Sequence, residues 1–237
     1  MMIESVRSEP QRIYAIGDVH GRLDLLQRAI GAIRRDIAAR GPAALTVTIG
    51  DYVDRGPQSR GVLDCLLGNP FPTPYVALKG NHEDMMEAFL ADPALGPQWF
   101  DNGGEETLQS YGIRLRGYAL ADVEKAREEL RAALPAAHVK FLHALKTSLG
   151  RGRYFFCHAG VRPGVPLARQ RDEDLLWIRE PFLSSEEDFG AIVVHGHTPT
   201  HAPEVRPNRI GIDTGAFMSG RLTCVALDEG EPRFLRV

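Results

Sequence analysis

LKGNHEDMM, residues 78–86, places a glycine, an amide, an imidazole and a carboxylate in succession where an apolar run, PYVAL (74–78), gives way to DMMEAFL (84–90). An asparagine alone is enough to cap the helix that DMMEAFL starts. Two readings of the stretch follow: a strand-to-helix turn with a satisfied histidine, or a strand end that presents ligands. The other strand ends decide between them.

Working outward, four more apolar runs end in the same residue types. RIYAI (12–16) runs into GDVHG (17–21), ALTVTI (44–49) into GDYVDRG (50–56), RYFFC (153–157) into HAG (158–160), and AIVVH (191–195) into GHT (196–198). Between the first two runs, Leu23, Leu26, Ile30, Ile33 and Ile37 recur at helical spacing until Gly41 and Pro42 stop them. SRGVLDCLLG (59–68) reads as a second helix and EDMMEAFLA (83–91) opens a third. Strand–helix alternation predicts a parallel sheet with right-handed crossovers. Residues from about 94 to 147 are mostly helical in pattern and are expected to form an insertion over one sheet edge. The short later strands, with RIGID (209–213), RLTCVAL (221–227) and RFLRV (233–237), predict an antiparallel region.

Composition sets the class. The 237 residues are read as a single domain, 1–237. Hydrophobic residues at 43% and charged residues at 25% describe an ordinary globular chain, which argues against disorder and against a membrane protein. Lysine and arginine number 28 against 31 acidic residues, so no basic field attracts nucleic acid or a membrane surface. MMIESVRSEPQR (1–12) lacks the apolar core of a signal peptide, and a cytoplasmic location is expected. Cys65, Cys157 and Cys224 are far apart and lie in apolar patterns, as buried thiols rather than bridges. Cys157, between Phe156 and His158 at a strand end, is read as packing and not as a nucleophile.

In an open α/β sheet the carboxyl ends of the strands line one crevice, so loops scattered in sequence converge in space. Asp18, His20, Asp51, Asn81, His158 and His197 then offer oxygen and imidazole nitrogen together, without a thiolate. This donor set suits manganese, iron or zinc, and a lone tetrahedral ion needs only about four ligands. Six ligands fit two ions. A shared carboxylate holds two ions roughly 3.5 to 4 Å apart, and Asp51 is the candidate bridge. His195, one residue outside GHT, is read as a strand-end residue or a neighbour of the ligands rather than a ligand, and His138, His143 and His201 lack ligand spacing and are read as structural.

GD-x-HG, GD-x-VDRG, GNHE, HAG and a GHT-type histidine resemble the signature of the calcineurin-like metallophosphoesterases, in the branch of serine/threonine phosphoprotein phosphatases. DLLWIRE (174–180) and IDTGA (212–216) resemble its smaller bacterial and phage members. The resemblance runs from about residue 12 to 227. It implies an α/β fold, a two-layer β-sandwich flanked by helices, with a dinuclear metal site at the strand carboxyl ends. It also implies Asp18, His20 and Asp51 on one divalent ion and Asp51, Asn81, His158 and His197 on the other, with manganese first and iron or zinc as alternatives.

By the same resemblance, a water or hydroxide between the ions attacks phosphorus in line and His82 protonates the leaving oxygen. Asp54 is the carboxylate placed to keep that imidazole charged. Arg55 and Arg179 match the family's phosphate-binding arginines, and a surface ion pair with Glu173 or Glu180 is the alternative for Arg179. Glu83 is read as capping the helix or orienting a neighbour.

The implied function is a protein phosphatase acting on phosphoserine and phosphothreonine, with phosphotyrosine open, on a phosphoprotein or phosphopeptide partner. A dinucleoside-polyphosphate hydrolase of the same superfamily is the main alternative, but that branch typically reads VARG and GNHD where this chain has VDRG and GNHE. A phosphate-binding module without activity would be expected to lack a ligand or the acid, and none is missing. A nucleic-acid phosphodiesterase is disfavoured by the acidic balance. IDTGAF (212–217) stands where larger eukaryotic enzymes carry an Asn-Tyr pair at the site rim, which leaves substrate choice open.

Overall fold

The computed structural model describes residues 12–237; apart from Arg12, the opening stretch weighed against a signal peptide lies outside them. Strands β1 (Arg12–Ile16), β2 (Ala44–Thr48) and β3 (Tyr75–Ala77) alternate with helices α1 (Leu23–Arg40) and α2 (Ser59–Leu67), and α3 (Asn81–Ala91) follows. The three strands pair in parallel, as the alternation predicts. Strand β3 is only half-buried along its length, so PYVAL does not bury both faces as its apolar run suggests. It is an edge strand.

After α3 come α4 (Gly96–Asp101), α5 (Gly104–Ser110), α6 (Leu120–Ala133) and α7 (Ala136–Ala144). They pack on α2 and α3 as a continuation of the helical layer. Their chain returns beside β3, where Lys146 bridges Leu78.

The second half supplies β4 (Ser148–Arg151), β5 (Tyr154–Cys157), α8 (Asp172–Trp177), β6 (Ile192–His195), β7 (Glu204–Val205), β8 (Arg209–Gly211), α9 (Ala216–Ser219), β9 (Cys224–Leu227) and β10 (Arg233–Phe234). Two five-stranded sheets result, ordered β10-β9-β1-β2-β3 and β4-β5-β6-β8-β7. The predicted antiparallel region is corrected here. β5, β6 and β8 run parallel, and only the flanking β4 and β7 pair antiparallel. The chain between β5 and β6 crosses over through α8 rather than turning back in a hairpin, and a crossover returns a strand in the same direction. β9 and β10 join the first sheet instead, β9 antiparallel to β1 and β10 antiparallel to β9.

Period-two alternation places the sheets face to face. Ile13, Ala15, Leu45, Val47 and Ile49 meet Tyr154, Phe156, Val194 and Ile210 between the layers. Tyr14 and Ile16, on the opposite side of β1, pack under α1 and the helices after β3. Phe155, Cys157 and Val193 pack under Leu175, Ile178 and Phe182. Parallel β1, β2, β5 and β6 therefore bring their carboxyl ends to one end of the sandwich, where the polar loops collect. Among the described residues no helix is long and apolar enough to cross a membrane.

Candidate functional site

The loops after the strands are tied to one another through their backbones. Val19 and His20 N–H groups donate to the Asp51 carbonyl at 3.0 and 2.7 Å, and Gly21 N–H donates to that of Tyr52. Gly196 N–H donates to the His158 carbonyl at 2.8 Å, joining the two loops of the second sheet. His158 Nδ1 reaches the Ile49 carbonyl at 3.0 Å, so the two sheets are joined at the site itself.

Glu83 organises the first sheet's loops. Its carboxylate accepts from the N–H groups of Gly80, Asp51, Tyr52 and Val53. It thus caps α3, whose N-cap is Gly80 and not Asn81, while holding the GDYV loop over that helix end. Burial nonetheless pushes its carboxyl up to about 7 against those four donors. Gly80 and Gly196 serve close approach: a Cβ on either would collide with a carboxylate oxygen, of Asp51 or of Asp18. His20, Asp51, Asp54, Arg55 and His197 all hold positive φ, between 43° and 70°. Such conformations are uncommon for residues other than glycine and persist where surrounding contacts impose them.

The six predicted ligands are all buried and lie together. Asp51 is central: its Oδ2 lies 3.3 Å from His20 Nε2, and its Oδ1 lies 3.4 Å from His158 Nε2. Asp18 groups with Asp51 and His158. Its Oδ2 accepts from the His197 N–H at 3.0 Å, while its Oδ1 is buried without a partner. Asn81 Oδ1 is 2.8 Å from both His158 Nε2 and His197 Nδ1. His82 also groups with His20 and Asp51, its Nε2 lying 3.8 Å from Asp51 Oδ2.

These residues fit divalent cations. With Nδ1 of His20 and of His158 donating to the carbonyls of Val53 and Ile49, each Nε2 carries a lone pair turned toward Asp51, that of His20 also accepting from Arg55. The bare His158 nitrogen also faces the Asn81 oxygen at 2.8 Å, an acceptor against an acceptor that a cation between them reconciles. His197 Nε2 and Asp18 Oδ1 are further buried atoms without partners. Burial, then the charges of Asp213 and Asp51, push the Asp18 carboxyl well up, and burial with Glu83 does the same to Asp51. Burial and the neighbouring imidazoles push His20 and His158 well down, which keeps them neutral, the form that ligates. Buried carboxylates so crowded are costly unless cations offset them.

The predicted acid is held as expected in position but not in charge. His82 Nδ1 lies 2.7 Å from Asp54 Oδ2. Burial, followed by Arg55, pushes the imidazole down, so the partner carboxylate does not keep it protonated by itself. Burial also carries Asp54 up to about 7. Arg55 Nη1 is 3.0 Å from His20 Nε2. Arg179 is exposed, acts electrostatically on His197, and makes no ion pair among the described residues; Glu173 pairs with Arg171.

Several residues at the site escape a motif reading. Trp99 Nε1 and Thr107 Oγ1 donate to Asp54 at 2.8 and 2.6 Å from helices read as an insertion. Asp213 faces Asp18, and Phe217 stacks its edge on His20. A signal existed only for Asp213, a carboxylate at the end of the RIGID strand. His195 ends β6 outside both ligand groups, its ring against Phe182. His138 bridges Tyr111 and Asp64, and His143 and His201 are exposed. Burial pushes the Cys157 thiol up, away from nucleophilic use, and all three cysteines are free.

Comparison with known proteins agrees with this geometry. Residues 11–221 match the family model described as calcineurin-like phosphoesterase. A bis(5'-nucleosyl)-tetraphosphatase of Anoxybacillus flavithermus is 25% identical, the match covering 91% of this chain and 90% of that protein. Serine/threonine-protein phosphatase 2 of Escherichia coli is 29% identical over 90% and 91% of the respective chains. The crystal structure of a putative diadenosine tetraphosphatase superposes with a TM-score of 0.67 at 20% identity, covering 96% of this chain and 94% of that one.

Proposed function

The chain belongs to the calcineurin-like phosphoesterases, and from that premise we propose that it is a protein phosphatase that hydrolyses phosphoserine and phosphothreonine monoesters, with phosphotyrosine as a further substrate. We read residues 1–237 as one catalytic domain acting on a cytoplasmic phosphoprotein. Asp18, His20, Asp51, Asn81, His158 and His197 would hold two divalent ions, manganese first. When bound, such ions draw charge from phosphoryl oxygens and lower the pKa of a coordinated water.

The observation that carries the reading is the pair of Asp54 and His82 at 2.7 Å. A serine alkoxide is a poor leaving group and needs a proton as it departs, whereas a nucleotide phosphate leaves as a stable anion. This chain commits a fully buried carboxylate, itself held by Trp99 and Thr107, to aiming one imidazole. Asp54 fixes Nδ1, which leaves Nε2 to carry the proton to the leaving oxygen. A phosphoryl dianion beside the ring favours the charged imidazole that burial alone disfavours. Arg55 and Arg179 bind phosphoryl oxygens with permanent charge and planar forks.

The test compares kcat/KM for a phosphoserine peptide, a phosphotyrosine peptide and diadenosine tetraphosphate in one manganese-supplemented assay. The phosphoserine peptide is expected to lead. A higher value for diadenosine tetraphosphate than for either peptide overturns the reading. It would establish the second reading, a dinucleoside-polyphosphate hydrolase, which the names of the Anoxybacillus relative and of the superposed crystal structure favour.

A further inference from the structure

Arg55 is an unusual cation. Among the described residues no carboxylate forms an ion pair with it, although Asp18 and Asp51 lie near enough to feel its charge. What covers it is the half-buried ring of Phe217, whose centroid lies 4.9 Å from the guanidinium carbon. The same ring meets the His20 imidazole edge-on at 5.4 Å and 80°. Phe217 thus fills the angle between the arginine and a predicted metal ligand.

The turn carrying Phe217 is firmly held. Gly215 and Gly220 bracket α9, both left-handed, which permits so short a turn between two loops. Asp213 Oδ1 accepts from the Gly215 N–H at 2.8 Å, and Ser219 Oγ donates to the Thr214 carbonyl at 2.7 Å. Arg22, which directly follows the GDVHG motif, donates from Nη1 to the Ala216 carbonyl at 2.9 Å and is itself clamped by Asp24. The loop after β1 and the turn after β8 therefore fix the ring together. On its other side Arg55 is fixed by its own N–H, which donates to the Gly103 carbonyl.

A carboxylate would hold the guanidinium too, but it would neutralise it and compete with a phosphate. An aromatic face attracts a cation through its quadrupole without occupying its N–H donors; one of them, on Nη1, meets His20 Nε2 at 3.0 Å. We propose that Phe217 is a positioning residue that holds the Arg55 guanidinium uncompensated and aimed at the phosphoryl group. The inference rests on the phosphate-binding role given to Arg55 above.

The experiment measures inorganic phosphate binding to the manganese-loaded full chain, by calorimetry and as competitive inhibition. Phe217→Leu is expected to weaken phosphate by about three- to thirtyfold, the range that corresponds to a lost cation–π contact. Metal content and melting temperature should stay near those of the parent. Phe217→Tyr and Phe217→Trp, which keep an aromatic face, should restore phosphate affinity. In an Arg55→Ala background, Phe217→Leu should add no further loss, because the ring acts through the arginine. Should the leucine variant fail to fold, Phe217→Met, which fills the volume without a ring, takes its place. Unchanged phosphate affinity in the leucine or methionine variant, or an equal loss with and without Arg55, overturns the proposal. Inorganic phosphate is indifferent to whether the substrate is a phosphoprotein or a dinucleotide, so failure of the substrate reading leaves this test standing.

Discussion

The loops at the strand ends and the helices between residues 93 and 144 converge on Asp54, yet they encode their parts in opposite ways. The loops carry Asp18, His20, Asp51, Asn81 and His82 in runs that no ordinary turn requires. The helices carry Trp99 and Thr107 inside plain helical patterns, and both are fully buried with their donors on the Asp54 carboxylate. Gly103 adds a carbonyl that accepts from the Arg55 N–H. A segment expected as an insertion over one sheet edge is therefore built into the site as its support. Groups that do chemistry must be of particular types, whereas a support need only offer a donor at the right place.

If the loops own the chemistry, the largest effect lies at their centre. Asp51→Asn removes the charge and one of the two anionic oxygens that face His20 and His158. Metal content, measured by elemental analysis, and turnover should fall together to the level of the chelated protein. Two full equivalents of metal with normal turnover would remove Asp51 from the bridge.

Next in size is His82→Asn. General acid catalysis contributes typically about 100- to 10,000-fold, and its weight grows with the basicity of the departing oxygen. The variant should keep its metal and fold, and lose far more turnover on a phosphoserine peptide than on a nitrophenyl phosphate. Because His82 also lies within ligand range of His20 and Asp51, the metal assay is decisive. Loss of an equivalent of metal, or a defect independent of leaving-group pKa, would return His82 to the metal shell.

These two positions show what the sequence makes legible. The parallel β1-β2-β3 part of the first sheet and the five ligand loops could be read because strand, helix and ligand types recur in a fixed order. The parallel core of the second sheet could not, since β5, β6 and β8 are three or four residues long and are joined by chain with little periodicity. Glu83 could be assigned to the α3 cap, because it stands three residues after Gly80. Its bonds to Asp51, Tyr52 and Val53 depend on a loop packed across from it and leave no local trace. Trp99, Thr107 and Phe217 are illegible for the same reason: their partners lie 45 or more residues away in sequence.

The helical supports give a smaller effect of the same kind. Thr107→Val keeps the shape but removes the donor to Asp54 Oδ1 and the acceptor for the Asp54 N–H. The Asp54 N–H keeps Ser59 Oγ at 3.1 Å, but Oδ1 is left unpaired; an unpaired buried polar group costs about 1 to 3 kcal/mol, so denaturant unfolding should show a loss of that order. Turnover should fall as well, more on the phosphoserine peptide than on the nitrophenyl ester, because the carboxylate that aims His82 is loosened. A stability loss with no dependence on the leaving group would make Thr107 a packing residue only.

The smallest effect is expected on the solvent side of the same helices. Tyr118 and Leu120 are 61% and 58% exposed, and neither touches Asp54, Arg55 or a predicted ligand. Serine at Leu120 removes no buried contact, and surface changes of this kind usually stay within about 0.5 kcal/mol. A small aryl phosphate reaches the strand-end loops without meeting these side chains, so its kcat/KM should match that of the parent. A folded phosphoprotein is wide enough to lie against the helices, and its kcat/KM should drop through KM with kcat unchanged. Equal loss on both substrates in a metal-replete, folded variant would mean that the outer surface is coupled to the chemistry through Trp99 and Thr107. The contrast between the inner and outer sides of the segment would then fail.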